Sequence, residues 1–165
     1  MSSSTREALT AAVLTVSDSS ARGERPDLSG PAVAEALGKA GFEVVAAEIV
    51  SDDQLPIQQA IVRLAEKARL VVTTGGTGVA KRDVTPEATR LVCERLLQGV
   101  AEKMRLEGGK KTRFAALSRG ICGVRGECVI LNLPGSPAGA VDSLNAVIDL
   151  MPHALQLLSG NTKHE

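Results

Sequence analysis

Leu70-Val71-Val72-Thr73-Thr74-Gly75-Gly76-Thr77-Gly78 passes from an apolar run straight into a glycine-rich loop, and Thr85-Pro86-Glu87 follows as the start of a helix. A short apolar run bounded by turn residues is the pattern of a strand buried on both faces. Threonine at the N-cap, proline at the first helical position and an acid in the first turn make the helix start explicit. Strand, loop and helix in that order form one unit of a parallel α/β sheet. In such sheets ligands lie beyond the carboxyl ends of the strands.

The same alternation extends outward in both directions. Upstream, residues 11–16 form an apolar run closed by Ser17-Asp18, and a polar loop from Ser19 to Asp27 carries Arg22 and Arg25. Pro31 opens an amphipathic helix to Lys39, stopped by Gly41. A second strand over 43–50 ends in Ser51-Asp52-Asp53, with Asp53 read as the N-cap of a helix over 54–67 whose apolar residues are Ile57, Ile61, Leu64 and Ala65. Downstream, helical spacing returns near 100–106. Residues 121–124 and 128–133 bracket Arg125-Gly126 as a hairpin, and Pro134-Gly135-Ser136-Pro137 turns into a last helix running to about Leu158 with Gly160 as its stop. The fold class is α/β, a single domain with a mostly parallel sheet and helices on both faces. Residues 1–9 and 161–165 read as flexible tails.

Composition excludes several classes of function. The 165 residues are 44% apolar and 23% charged, the proportions of a globular protein with one substantial core. Lys plus Arg equals Asp plus Glu at 19 each, so no net field recruits nucleic acid or an anionic membrane. Two Phe with no Tyr or Trp leave little for stacking on single-stranded bases. The first residues hold no apolar leader-like run and no stretch reaches spanning length, so a cytoplasmic protein is expected. Cys93, Cys122 and Cys128 form no CxxC pair and read as reduced, mostly buried side chains. His153 lies in a helical stretch and His164 in the tail, which argues against a histidine-based engine.

Four polar clusters end apolar strands and so meet on one rim: Ser17-Asp18, Asp52-Asp53, the glycine loop with Asp83, and 132–136. Glycines without a Cβ let successive amides turn toward one point, which suits phosphate, although such a loop can also be a mere connector. The loop fits neither GxxxxGK[ST] nor GxGxxG, where Lys81 stands in place of the third glycine. Asp83 can be a local cap. Asp52 can bind a ribose hydroxyl, or Asp52 and Asp83 can hold magnesium against substrate phosphates. Arg82 and Arg119 are the basic residues best placed for anion contacts. Gly76→Val is expected to weaken binding and to leave the fold intact.

Thr74-Gly75-Gly76-Thr77-Gly78 with Arg82-Asp83-Val84-Thr85-Pro86-Glu87-Ala88 resembles the signature of the MogA/MoaB molybdenum cofactor family, which includes the G domain of gephyrin. Ser17-Asp18, Asp27-Leu28-Ser29-Gly30-Pro31, Val50-Ser51-Asp52-Asp53-Gln54, Leu117-Ser118-Arg119 and Leu131-Asn132-Leu133-Pro134-Gly135-Ser136-Pro137 resemble its other segments, in the same order. The resemblance covers about residues 10–158, and the Arg82–Pro86 stretch looks like the MogA version. Val79-Ala80-Lys81 departs from it, where relatives often carry a proline.

The resemblance implies a three-layer α/β/α fold assembling as a homotrimer. It implies adenylylation of molybdopterin by ATP with Mg2+, releasing pyrophosphate, with hand-over to a molybdate-inserting enzyme. Asp52 and Asp83 would be the catalytic acids and metal ligands. Ser17, Asp18, Thr74, Gly75, Gly76, Thr77, Gly78, Arg82, Ser118, Arg119, Pro134, Gly135 and Ser136 would line the substrate site. A non-catalytic carrier or scaffold of the same family is the alternative.

Overall fold

The computed structural model describes residues 8–161. The expected tails fall almost wholly outside the described residues, as does His164. The sheet has six strands: β1 (Thr10–Val16), β2 (Glu43–Val50), β3 (Leu70–Thr74), β4 (Arg95–Leu96), β5 (Cys122–Arg125) and β6 (Cys128–Leu133), in the order β2-β1-β3-β6-β5-β4. β2, β1, β3 and β6 run parallel, whereas β5 is antiparallel to both of its neighbours. The apolar run ahead of the glycine loop is β3, every residue of it buried between β1 and β6.

Helices cover both faces. α2 (Ser29–Lys39), α5 (Gln98–Gly109), α6 (Pro137–Val147) and α7 (Met151–Leu158) enclose one core around Leu37, Leu131, Leu144 and Leu155. α3 (Gln54–Lys67) and α4 (Thr85–Val92) enclose the other around Leu14, Ile57, Ile61, Leu64 and Ile130. Fully burying each such side chain is worth about 1.5–3 kcal/mol, which is how a chain with almost no aromatics holds together. The chain goes from β1 outward to β2, then back past β1 to β3. The strand order therefore reverses between β1 and β3, and a crevice opens at their carboxyl ends.

Several local expectations need correction. The polar loop after β1 begins with a single helical turn, α1 (Asp18–Ala21), because the Ser17 hydroxyl accepts from the Ser20 N–H. Thr85 is the first helical residue of α4, not its cap, since its hydroxyl is spent elsewhere. The helix near 100–106 extends over Gln98–Gly109. The last helix is two, separated by a 3-10 turn over Ile148–Leu150 just ahead of Pro152, which cannot continue a helical hydrogen-bond ladder. The two-residue strand β4 has too short a pattern to be read from the sequence. All three cysteines are free; burial pushes the thiols of Cys93, Cys122 and Cys128 up to about 11, 12 and 12.

Candidate active site

The glycine loop is bent by its own conformation. Gly75 and Gly76 both have positive φ, 102° and 68°. A Cβ on Gly75 would run into the Val16 carbonyl oxygen, and one on Gly76 into the Thr85 hydroxyl. The loop is tied down at its flanks: the Gly75 N–H donates to Leu133 O at 3.1 Å, Thr85 Oγ1 donates to Gly75 O at 2.9 Å, and the Thr85 N–H donates to Gly76 O at 3.1 Å. Between these ties the N–H groups of Gly76, Thr77 and Gly78 donate to no acceptor among the described residues. Successive unpaired amides in a glycine turn make an anion-binding concavity.

All four polar clusters reach the rim, but not every residue of them faces it. Ser17-Asp18, Asp52-Asp53 and the glycine loop meet there, and Gly135 packs against Gly75, with an added Cβ 3.4 Å from the Gly75 α-carbon. Asn132 lies behind them, 1% exposed. Its amide nitrogen donates to Thr73 Oγ1 and Thr89 Oγ1, and its oxygen accepts from the Ile121 N–H. It belongs to a satisfied buried network that stiffens the floor. Thr74 works in the same way, donating to Pro134 O at 2.7 Å and so fixing the 134–136 turn. The Ser136 hydroxyl caps α6.

Two cavities open on this rim. The larger, about 580 Å3, lies between the glycine loop, α5, α6 and the 3-10 turn over Arg113–Leu117; Ser118, Pro134 and Ser136 line it, together with Lys111 and Asp142, which form an ion pair at 2.8 Å. The smaller, about 280 Å3, is polar, with Ser17, Ser19, Ser20, Arg25, Asp27 and Asp52 on its walls. Gly76, Asp83 and Gly135 belong to both. The partition between two binding spaces is thus a glycine, a carboxylate and a second glycine.

The acids are unlike one another. Asp18 and Asp52 exchange contacts, each backbone N–H donating to the other's carboxylate at 2.9 and 3.0 Å. Arg82 grips Asp18 through Nε and Nη2 at 2.6 and 2.9 Å and reaches Asp53 at 3.1 Å. That guanidinium, with the Asp52 N–H, holds the Asp18 carboxyl down to about 2. Asp52 moves the other way: burial raises its pKa, and the Asp18 and Asp83 carboxylates add to the rise. Asp53 takes the N-cap position of α3, but its side chain makes no cap; it accepts from Ser51 and Arg82 instead. Asp83 Oδ2 accepts from the Ala80 N–H at 3.0 Å, a local turn rather than a cap on α4.

Neither Arg82 nor Arg119 lines either of these two cavities. Arg119 sits behind the loop, donating from Nε to Gly78 O at 2.7 Å, from Nη2 to Asp83 O at 2.7 Å, and from Nη1 to Glu87 at 2.6 Å. Both arginines hold the loop and the acids in place. The sequence did not place Arg105, Lys111, Phe114, Asp142 and Ser143 at the site; they stand on cavity walls supplied by helices and by a basic loop, and Asp27, known from the sequence only as part of a family segment, lines the smaller cavity. Asp27 anchors the start of α2, accepting from the Gly30 N–H and from Thr15 Oγ1.

Magnesium suits these donors. In Asp52 and in Asp83, one oxygen accepts a backbone N–H and the other accepts no hydrogen bond among the described residues. Mg2+ takes one or two carboxylates with phosphates and water, not a closed protein cage. Among the described residues no group of three or more His, Cys, Asp or Glu is arranged around a metal position.

The raised Asp52 pKa has a testable consequence. The folded state holds its proton more tightly than the unfolded chain, so stability falls as pH rises above the ordinary carboxyl value of 3.8. Asp52→Asn keeps an oxygen for the Asp18 N–H and removes the charge. Without magnesium it should melt above the parent protein at pH 7, and the gap should close toward pH 4. A variant melting below the parent at pH 7 would contradict this. Asp18 has the opposite sign: its contribution is present above 3.8 and is lost as pH falls toward about 2.

A layered α/β/α chain with a turn of unpaired glycine-loop amides and two acids on one rim is an α/β protein with its candidate site at the carboxyl ends of the strands, and comparison narrows it. Residues 12–153 match the family model described as probable molybdopterin binding domain, and the chain belongs to that family. It is 40% identical over 153 residues to the molybdopterin adenylyltransferase of Helicobacter pylori, covering 90% of this chain and 87% of that one. With the Escherichia coli molybdopterin adenylyltransferase it shares 35% over 165 residues, 90% of this chain and 84% of the other. It is 41% identical to the Drosophila molybdenum cofactor synthesis protein cinnamon, of which it spans 26%. Among solved structures, the molybdopterin biosynthesis enzyme MoaB of Thermus thermophilus superposes with a TM-score of 0.87 at 51% identity, covering 92% of this chain and 97% of that one. A MogA structure does so with 0.85 at 37%, covering 90% and 99%. No helix among the described residues is long and apolar enough to cross a membrane.

Proposed function

We propose that the chain is a molybdopterin adenylyltransferase of molybdenum cofactor biosynthesis. The observation that carries this reading is the partition: two cavities separated only by Gly76, Asp83 and Gly135. A transfer between two bound substrates needs their reacting phosphates to meet at one point, with a large group on either side. The larger cavity, with apolar walls and a few polar groups, takes the pterin. The smaller, with its serines and Arg25, takes the nucleotide. The names of the bacterial relatives agree with the adenylyltransferase reading.

The pterin phosphate oxygen attacks the α-phosphorus of ATP, the bond from that phosphorus to the bridging oxygen breaks, and pyrophosphate leaves. No protein nucleophile or histidine base is required. The free amides of Gly76, Thr77 and Gly78 stabilise the non-bridging oxygens. Asp52 and Asp83 would hold Mg2+, which when bound neutralises polyphosphate charge. Arg119 keeps Gly78 and Asp83 at their distances, and Arg82 holds the Asp18 carboxylate in place beside Asp52. ATP labelled at its α-phosphate should transfer the label to molybdopterin. Retention of all label in ATP while molybdopterin binds stoichiometrically would favour a carrier instead.

The working assembly in this reading is a homotrimer in the cytoplasm that passes its product to a molybdate-inserting enzyme. Val45 and Ile49, 42% and 46% exposed on the edge strand β2, offer apolar surface for a subunit contact. Light scattering at micromolar concentration should give about three times the chain mass. A monomer throughout would reject the trimer.

A further inference from the structure

Of the chain's two phenylalanines, Phe42 is packed into a core at 4% exposure, whereas Phe114 is 68% exposed. Isolated exposed apolar residues are ordinary, and Leu91 and Leu106 are of that kind, lining neither cavity of the rim. Phe114 differs, since it lines the larger cavity together with Leu117 and Val79, themselves 53% and 68% exposed. Its backbone is fixed: Thr112 caps the 3-10 turn over Arg113–Leu117, its hydroxyl accepting from the Phe114 N–H. The Arg113 guanidinium carbon stands 5.9 Å from the ring centroid. The same cavity is lined by Gly76, Thr77 and Gly78, whose amides are free. One space therefore holds both anion donors and an aromatic ring.

We propose that Phe114 is a specificity residue of the larger cavity: its ring stacks on the flat heterocycle of the substrate whose phosphate lies on the glycine loop. The inference rests on the pterin assignment above and deepens it, by naming the feature of the substrate that is read. A planar, polar heterocycle has a π-face that any aromatic side chain can cover without hydrogen bonds. The turn between α5 and Ser118 then sets ring recognition while the loop sets phosphate position.

Steady-state kinetics on the full chain, with molybdopterin and Mg-ATP, test this. Phe114→Ala should raise KM for molybdopterin about tenfold, as for loss of one stacked ring, and leave KM for ATP and kcat within twofold. Phe114→Trp should restore the parent value, while Phe114→Leu, which keeps apolar area without a π-face, should not. Because the chain has no other Trp, the emission of Phe114→Trp reports the site without turnover. Molybdopterin alone should quench it, and Mg-ATP alone should leave it unchanged. Equal KM values in parent and Phe114→Ala enzymes that turn over would overturn stacking and leave the adenylylation reading standing. Quenching by molybdopterin in a protein that forms no product would keep stacking and remove that reading. Quenching by ATP alone, or a change of oligomeric mass with unchanged KM, would overturn the proposal in favour of an adenine or a subunit contact.

Discussion

Asp83→Asn should slow adenylyl transfer at saturating Mg-ATP by at least about a hundredfold, a barrier increase of about 2.7 kcal/mol, with molybdopterin binding as tight as before or tighter. Asp83 stands on the wall common to both cavities, where two polyanionic substrates must approach. A carboxylate at that point raises the cost of binding them unless a cation lies between. The asparagine still accepts from the Ala80 N–H, so the turn it closes survives and the fold should lose about 1 kcal/mol or less. Isothermal titration with the pterin and rate measurement with both substrates separate the two effects. Near-normal turnover in a folded variant would leave Asp83 as a turn residue only. Asp52→Asn should act similarly, and the double variant should cost less than the sum of the two if one metal serves both.

The second large effect concerns the backbone of the loop. Gly75→Ala should destabilise the protein by about 3 kcal/mol or more, lowering the melting temperature by on the order of ten degrees. Its φ of 102° strains any residue with a Cβ, and that Cβ meets the Val16 carbonyl, a backbone atom at the end of a buried strand that cannot swing aside. Gly23 supplies the control, with φ of 72° and nothing near the added atom. Gly23→Ala should therefore cost only the conformational strain, about 1 kcal/mol. Equal losses at the two positions, measured by thermal unfolding, would show that the approach to Val16 is not tight.

Gly76 falls between these cases and revises a sequence expectation. From the sequence alone, a valine there should block substrate and spare the fold. The structure puts the Thr85 hydroxyl in the way, the same group that holds Gly75 O, with Asp52 Oδ1 3.2 Å from the added carbon. Gly76→Val must break that tie, so the loss of binding comes with a loss of loop order. Gly76 is at once partition, amide donor and joint.

The strands and most of the helices were legible because their signals are local. β3 and α3 match their expected bounds, Leu70–Thr74 and Gln54–Lys67, since each has an unbroken apolar period and a polar stop. The rim was legible too, because strands in a parallel sheet deliver their ends to one side. What one chain segment could not disclose was the direction of individual side chains. Arg119 and Asn132 sit among site residues in sequence, yet one grips the loop from behind and the other fills the floor. Phe114 and Lys111 lie in a stretch without period, and Asp142 and Ser143 on the polar side of α6. Their meeting depends on how α5 and α6 pack, which no local pattern states. A lone phenylalanine in a basic loop was the one available signal.

In the proposed reaction, one substrate's phosphate meets the other's at the wall of Gly76, Asp83 and Gly135. The most direct test is pyrophosphate release with purified protein, molybdopterin and Mg-ATP, measured against adenylylated pterin formed in the same sample. One pyrophosphate is expected for each adenylyl-molybdopterin, with no release when the pterin is omitted and loss of both products in Asp83→Asn. Pterin bound beside ATP with no pyrophosphate above background would contradict it, and would make the two cavities the seat of a carrier.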